Sequence, residues 1–490
     1  MVGIGGRSKG CRTCRRRKVK CDEGRPGCER CRKSGFECEG YVRYHEFVDL
    51  TARLTRNEPP TKGPVKKTRL IANADGDSPG EPGREVQAPL MTNPPWDEDS
   101  IFTSHLIHRL FSWHEDDSSS YSASWISVLF RHPEDPGGLP MASVRALATS
   151  YFGKVHGHPD LLRKGADSYS KALRSLRGQL QDSDQVLESE VIVAVVCLGI
   201  YELVTFTQPW AWLQHYKGLS RLIALRGPHR HQSGVAFSLL PTVRTSISIG
   251  HLVDRKRCFL EDPAWKTIPW AEKGLDAKTP TDRLIDILCD IPGILEDCDR
   301  ALDPTTPGHA RFTAELCTKI LSTMDALYDW RWAWQDEFPD ATYLTVPNNA
   351  DSPGSKQLPP SPFQTVIWFH DPLRATELSF YDALLLILQS MCELFKISME
   401  PSFAPLMSDP LLPTQGSRMD TTLEICRMAD YQLHDLRRSS GAFMLLFPLN
   451  VAYRNLVPNS AEALWLEKIM AWIADTHGFE MSRRENMPRP

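Results

Sequence analysis

The sequence predicts a mostly all-α protein: a small metal-braced head, a disordered linker and a large all-helical body. Three observations predict this. Six of the 13 cysteines fall within the first 38 residues, in two copies of one spacing. Residues 43–95 are polar, rich in Pro, Gly and charge, and show no apolar periodicity. From residue 96 onward apolar side chains recur at helical spacing, divided by Gly, Pro, Asp and Ser, and strand-like alternation is scarce.

The head comes first. Cys11-x2-Cys14-x6-Cys21 is followed by Cys28-x2-Cys31-x6-Cys38. Thiolates at such spacing are soft tetrahedral ligands, and zinc is the metal that usually takes them. Two four-coordinate zinc ions need eight ligand positions, and no histidine lies among the six cysteines. Two thiolates must therefore bridge both metals. If the two copies are related by a pseudo-twofold, the bridges occupy equivalent places.

Positive charge is concentrated in the first copy. Arg15, Arg16, Arg17, Lys18 and Lys20 lie between Cys14 and Cys21, whereas Arg32 to Glu37 offers only Arg32 and Lys33. A short helix starting near Cys11 carries these basic side chains toward a phosphate backbone or a base edge. Residues 1–45 hold 13 basic and 5 acidic side chains, net +8. The remainder holds 44 and 56, net −12. A basic head on an acidic body points to nucleic acid at the head alone.

These residues resemble the fungal zinc binuclear cluster (Zn2Cys6) transcription factors. The resemblance rests on the six cysteines, on the RRRKVKC run ending at Cys21, and on Arg25-Pro26 between the halves. It implies two zinc ions per chain, with Cys11 and Cys28 as the bridges. It implies that Lys18 reads a CGG-type half-site in the major groove and that Arg17 is a second basic contact. Arg15, Arg16 and Lys20 are then left to hold phosphates. Pro26 matches the proline that joins the halves.

The domains expected are 7–42 for the cluster, 43–95 for the linker and 96–480 for the helical regulatory domain. Within the linker, Phe47, Leu50 and Leu54 suggest one short helix, stopped by Pro59-Pro60 and too short for a coiled coil. That leaves dimerisation open and favours a head that binds one half-site as a monomer.

Helices are expected in order along the body. Ser100 caps the first, reaching His114. Leu139–His156, Leu161–Leu180, Leu187–Phe206, Trp212–Arg226 and Val235–Val253 follow. The rest are Thr281–Cys289, Ala310–Trp334, Leu373–Ile397, Met419–Arg438 and Ala461–Thr476. Asn348–Pro362 reads as a disordered insertion. The pattern Trp212-x2-His215-x2-Gly218, then Leu222, Arg226-Gly227-Pro228, Arg257-x-Phe259-Leu260, Pro263 and Trp265, is similar to a fungal transcription-factor regulatory domain. That resemblance implies a helical domain that controls the head, without assigning ligand residues.

Other chemistry is weakly signalled. The pairs His105/His108, His156/His158 and His229/His231 lack the partners of a catalytic zinc motif. Asp286, Asp290, Asp297 and Asp299 read as a solvated helix face sooner than a magnesium site. Trp330, Trp332 and Trp334 alternate along a helix and cannot all face one core; interhelical packing is favoured over an apolar ligand groove. The acidic-aromatic stretch Trp96–Tyr121 fits an activation surface or an amphipathic helix equally.

There is no Gly-rich phosphate loop, G-x-S-x-G elbow or dinucleotide fingerprint, so no enzyme is expected. The start MVGIGGRSKG lacks the apolar core of a secretory signal, and the run from Val191 meets Glu202 too soon to span a membrane. The seven remaining cysteines read as buried thiols of a reducing compartment. The function expected is sequence-specific DNA-binding transcription on RNA polymerase II promoters, in the nucleus. Partners are double-stranded DNA, the transcription machinery or co-regulators, and a small-molecule effector. Control of a secondary-metabolite gene cluster or of drug resistance suits the family. The alternatives are a DNA-tethered enzyme with a helical catalytic body and a zinc-braced interaction module.

Overall fold

Two five-residue helices, α1 (Arg12–Arg16) and α2 (Glu29–Lys33), lie in the head and carry Cys14 and Cys31. They belong to a computed structural model that describes residues 11–22, 28–36, 38, 97–111, 138–181, 187–305, 307–347, 358–397 and 417–486. The chain divides into two units, Met1–Pro89 and Leu90–Pro490. The Arg25-Pro26 loop, the candidate linker helix and most of the insertion after Asn348 lie outside the described residues, as do Trp96 and 112–121 of the acidic-aromatic stretch.

The second unit is helical, as its periodicity implies. It opens with α3 (Glu98–Leu110), α4 (Leu139–Val155), α5 (Pro159–Gln179), α6 (Ser189–Thr205), α7 (Ala211–Arg226) and α8 (Gly234–Asp254). α6 is buried continuously from Val191 to Val204, because its apolar residues surround the helix. α5 is its opposite and buries only Gly165, Ala172 and Leu176. Gly165 is needed there, since a Cβ would meet the Ser150 hydroxyl of α4 at 1.9 Å. α3 starts one turn earlier than expected. Asp97 is its cap, accepting from the Asp99 N–H at 3.2 Å, and Ser100 donates to that same carboxylate at 2.8 Å.

Next come α9 (Pro263–Thr267), α10 (Pro280–Ala301) and α11 (His309–Glu337). α10 was expected to end at Cys289 but runs on through Pro292. A helix-interior proline costs about 3 kcal/mol. Here Ile291, Ile294, Leu295 and Cys298 continue the buried stripe beyond it and offset that cost. Thr279 and Asp282 close a capping box at its start.

Sequence periodicity missed a two-stranded antiparallel ribbon, β1 (Thr342–Thr345) with β2 (Val366–Phe369). Its register runs from Thr342↔Phe369 to Thr345↔Val366. Four-residue strands are too short to show alternation.

The chain ends with α12 (Pro372–Leu394), α13 (Arg418–Arg427), α14 (Ala429–Gln432), α15 (Ser440–Asn455) and α16 (Ala461–His477). The single helix expected over Met419–Arg438 is broken into α13, α14 and a 3-10 turn, with Arg438 left-handed at φ 54°. α15 was not among the expected helices, and Pro448 lies in its interior.

Among the described residues of this unit two large apolar cores form, with a smaller cluster of Leu203, Trp212, Leu213 and Tyr216 beside them. One gathers α3 to α8 with α15 and α16; the other gathers α10, α11, the ribbon and α12. Ile387 and Phe447 pack against both. None of the described helices is long and apolar enough to cross a membrane.

Candidate metal centre and nucleic-acid interface

Cys11 precedes α1 and Cys14 lies on it; Cys28 caps α2 and Cys31 lies on it. These four are buried, and Cys21 and Cys38 are half-buried. The Cys11–Cys28 and Cys14–Cys28 sulfurs are 3.6 Å apart, Cys11–Cys31 3.7 Å and Cys14–Cys31 3.8 Å. A disulfide needs about 2.05 Å. The edge of a tetrahedron of sulfurs around zinc is about 3.8 Å for a Zn–S bond of about 2.3 Å. The Cys11–Cys28, Cys14–Cys28 and Cys11–Cys31 pairs thus stand at zinc spacing. Two sets of four converge within 4.8 Å, Cys11/Cys14/Cys21/Cys28 and Cys11/Cys28/Cys31/Cys38, and Cys11 and Cys28 belong to both.

The halves repeat each other atom by atom. Cys11 N–H donates to Cys21 Sγ and Cys28 N–H to Cys38 Sγ, both at 3.4 Å. Cys14 N–H donates to Cys11 Sγ and Cys31 N–H to Cys28 Sγ, both at 3.3 Å. Val19 N–H reaches the Cys14 carbonyl as Phe36 N–H reaches that of Cys31. Burial pushes the Cys11 thiol up to about 12 and raises Cys14 and Cys28 in the same sense. Thiolates this crowded need cations to neutralise them. Bound zinc supplies that charge and cross-links the two helices.

The same repeat places Lys18 opposite Gly35. Both are left-handed, Lys18 at φ 53° and Gly35 at φ 67°. The second half fills this position with the residue that tolerates it; the first half holds an exposed lysine there. Arg15 lies within α1 and Arg16 ends it. Lys20 is exposed. Arg17 is half-buried, its guanidinium 3.9 Å over the Phe36 ring. In the second half, Arg32 and Lys33 both pair with Glu29.

Asp22 was not singled out by sequence reasoning. Its carboxylate accepts from Glu29 N–H at 2.9 Å and Arg30 N–H at 2.8 Å, tying the end of the first half to the start of α2. An acid seven residues before a short helix carries no recognisable capping pattern.

The regulatory-domain motif residues sit in the frame of the body. His215 Nε2 lies 2.8 Å from Tyr169 Oη, which donates to Glu202 at 2.6 Å. Arg226 donates to Ser189 at 3.0 Å, and Trp265 meets Phe259 edge-on. Four of the five aspartates of α10 are ion-paired: Asp286 with Arg244 and Lys278, Asp290 with Lys266, Asp297 with Arg257, Asp299 with Arg255; the fifth, Asp282, closes the capping box. Trp330 stacks on Tyr381 of α12, and Trp334 donates to Glu377. Among the described residues, the two cysteine sets are the groups of three or more His, Cys, Asp or Glu able to hold a metal.

Comparison with known proteins fits this geometry. Residues 9–45 match the fungal Zn(2)-Cys(6) binuclear cluster domain, and residues 100–247 match the fungal specific transcription factor domain. Each matched segment therefore resembles a domain of fungal transcription factors. A stretch of 184 residues is 27% identical to an uncharacterized protein of Emericella nidulans, covering 38% of this chain and 39% of that one. A stretch of 235 residues is 25% identical to the phomenoic acid biosynthesis cluster-specific transcriptional regulator of Leptosphaeria maculans, covering 46% and 43%. The aspercryptin biosynthesis cluster-specific transcription regulator of Emericella nidulans is 47% identical over 58 residues, 12% of this chain and 8% of that protein. The chain thus spans less than half the length of these relatives. No solved structure matches.

Proposed function

We propose that the protein is a sequence-specific DNA-binding regulator of RNA polymerase II transcription, acting in the nucleus without enzymatic activity of its own. The observation that carries this reading is the asymmetry of the head. Two halves share one metal-binding geometry, yet only the first presents a run of basic residues, with Lys18 exposed in a left-handed turn. A purely structural pair of zinc ions has no use for that difference.

Cys11, Cys14, Cys21, Cys28, Cys31 and Cys38 hold two zinc ions, with Cys11 and Cys28 shared. Lys18 reads the bases of a CGG-type half-site, and Arg17, braced on Phe36, stands beside it. Arg15, Arg16 and Lys20 hold phosphates. Residues 7–42 form the DNA-binding domain, 43–95 the linker and 96–480 the regulatory domain, which receives co-regulators and an effector. Two relatives are named as regulators of biosynthetic clusters, which favours control of a secondary-metabolite gene cluster.

Selection of bound duplexes from a random pool by the full-length, zinc-loaded chain tests the reading. Enrichment of CGG-type triplets is the expected result. An unenriched pool would overturn it.

A further inference from the structure

A cavity of about 700 Å³ lies inside the helical body, walled by α8, α10, α12 and α15 and closed by α6 and α7. It falls at the seam between the two apolar cores, where Ile387 and Phe447 stay half-buried because they face it. Its shape follows from the direction of its walls. Arg244 pairs with Asp286, Ser248 donates to Cys289 at 3.4 Å and Arg255 pairs with Asp299, so α8 and α10 run the same way. Thr281, at the start of α10, bonds Glu377, near the start of α12. On α12 the lining runs from Leu373 to Leu394, about 30 Å at about 1.5 Å per residue. The space is an elongated slot.

Its chemistry is graded along that length. The middle is mostly apolar, lined by Phe380, Leu384, Ile387, Ile249 and Phe447, with Thr245, Ser246 and Asn450 as polar neighbours. At one end Glu377 is buried, but its carboxylate is taken up by Thr281, Trp334 and Arg374. It has no call on a ligand's charge. At the other end Leu394 is 49% exposed, and Arg255 and Arg418 line the rim. Each arginine holds one carboxylate, Asp299 or Glu393, and a guanidinium has five donors to share.

We propose that this slot binds an elongated apolar molecule with one polar end, of the long-chain fatty acid class, its tail between α8 and α12 and its head at Arg255 and Arg418. At about 30 Å³ per water-sized atom the cavity takes on the order of 20 non-hydrogen atoms, and its volume lies within the usual range for small-molecule sites. Binding here gives the effector role proposed above a site and a ligand class. Its assay uses no DNA, so either reading can fail alone.

The test titrates cis-parinaric acid into the full-length, zinc-loaded chain and follows energy transfer from tryptophan. Unlabelled fatty acids of rising chain length then displace the probe. Ile249→Trp and Ile387→Trp fill the slot from opposite walls; Leu225→Trp, on an outer surface where Leu225 is 70% exposed, is the control. One saturable site is expected, weakened at least tenfold by each filling variant with circular dichroism unchanged, and unaffected by the control. Longer chains should displace better than shorter ones. That series on the unmodified protein decides the matter if a filled variant does not fold. Absence of saturable binding, displacement indifferent to chain length, or equal affinity in folded filled variants overturns the proposal. So does binding that appears only after residues 398–416 are replaced by a short Gly-Ser linker, because the chain itself would then occupy the slot.

Discussion

Replacing Lys18 by glycine separates the fold of the head from its reading of DNA. Lys18 adopts φ 53° where its counterpart in the second half is Gly35 at φ 67°. A left-handed conformation costs a residue with a Cβ about 1–2 kcal/mol. Glycine relieves that cost but loses about 0.5–1 kcal/mol more to chain entropy on folding. The net change is a stabilisation of about 0–1.5 kcal/mol, or up to roughly twelvefold tighter zinc retention. Lys18 is exposed, so no packing is lost. Recognition moves the other way. Loss of one base contact removes about 1–3 kcal/mol of discrimination, roughly five- to 150-fold between a CGG-containing and a scrambled duplex. The assay pairs zinc competition against a chelator with fluorescence anisotropy on both duplexes, for Lys18→Gly and Lys18→Ala. Both variants should lose discrimination, and only Lys18→Gly should hold zinc more tightly than the unmodified head, Lys18→Ala matching it. Weaker zinc retention in Lys18→Gly, or undiminished discrimination in either, refutes the reasoning.

Further outcomes follow from the same structure. All 13 tryptophans lie beyond residue 95, so chelation should change head resonances while tryptophan fluorescence stays native; a shift in that fluorescence would mean that the body also depends on metal. Replacing zinc with cadmium-113 should give two metal resonances, with the Cys11 and Cys28 protons coupled to both; coupling of any other cysteine to both would move the bridges. Asp22→Asn should weaken the start of α2 by about 1 kcal/mol and speed zinc release, because two backbone N–H groups lose a charged acceptor. His231 is held neutral by burial, its pKa lowered to about 4 while its Nδ1 bonds the Ala236 carbonyl. A depressed base contributes stability that is present above pH 6.5 and lost as pH falls toward 4. Urea unfolding should show about 3 kcal/mol of that slope, and His231→Gln should flatten it. A fragment of residues 1–70 should sediment as a monomer and footprint one half-site; a dimer would show that the linker pairs chains.

The metal centre was legible because ligand chemistry is written in spacing: six cysteines in two equal intervals specify the sulfurs that converge. The charge asymmetry was legible for the same reason. The supports of the site were not. Asp22 caps a helix across the loop, and Phe36 braces Arg17 from the other half; both relations exist only once the halves face each other. In the body, periodicity located most helices to within a few residues. It failed at Pro292 and Pro448, where burial outweighs a local breaking signal, and at Arg438, where the chain turns without glycine. The slot was illegible because its walls come from positions between Phe111 and Ser482, each an ordinary core residue of its own helix.

The most direct measurement of the central claim compares the affinity of the full-length chain for CGG-containing and scrambled duplexes, at several salt concentrations, before and after zinc removal. With two zinc ions bound, the cognate duplex should be preferred at least tenfold. The affinity for both duplexes should fall with salt as phosphate contacts are screened. Stripping zinc should erase the preference and leave weak, salt-sensitive binding. A preference that survives without zinc, or its absence with both ions in place, would contradict the account.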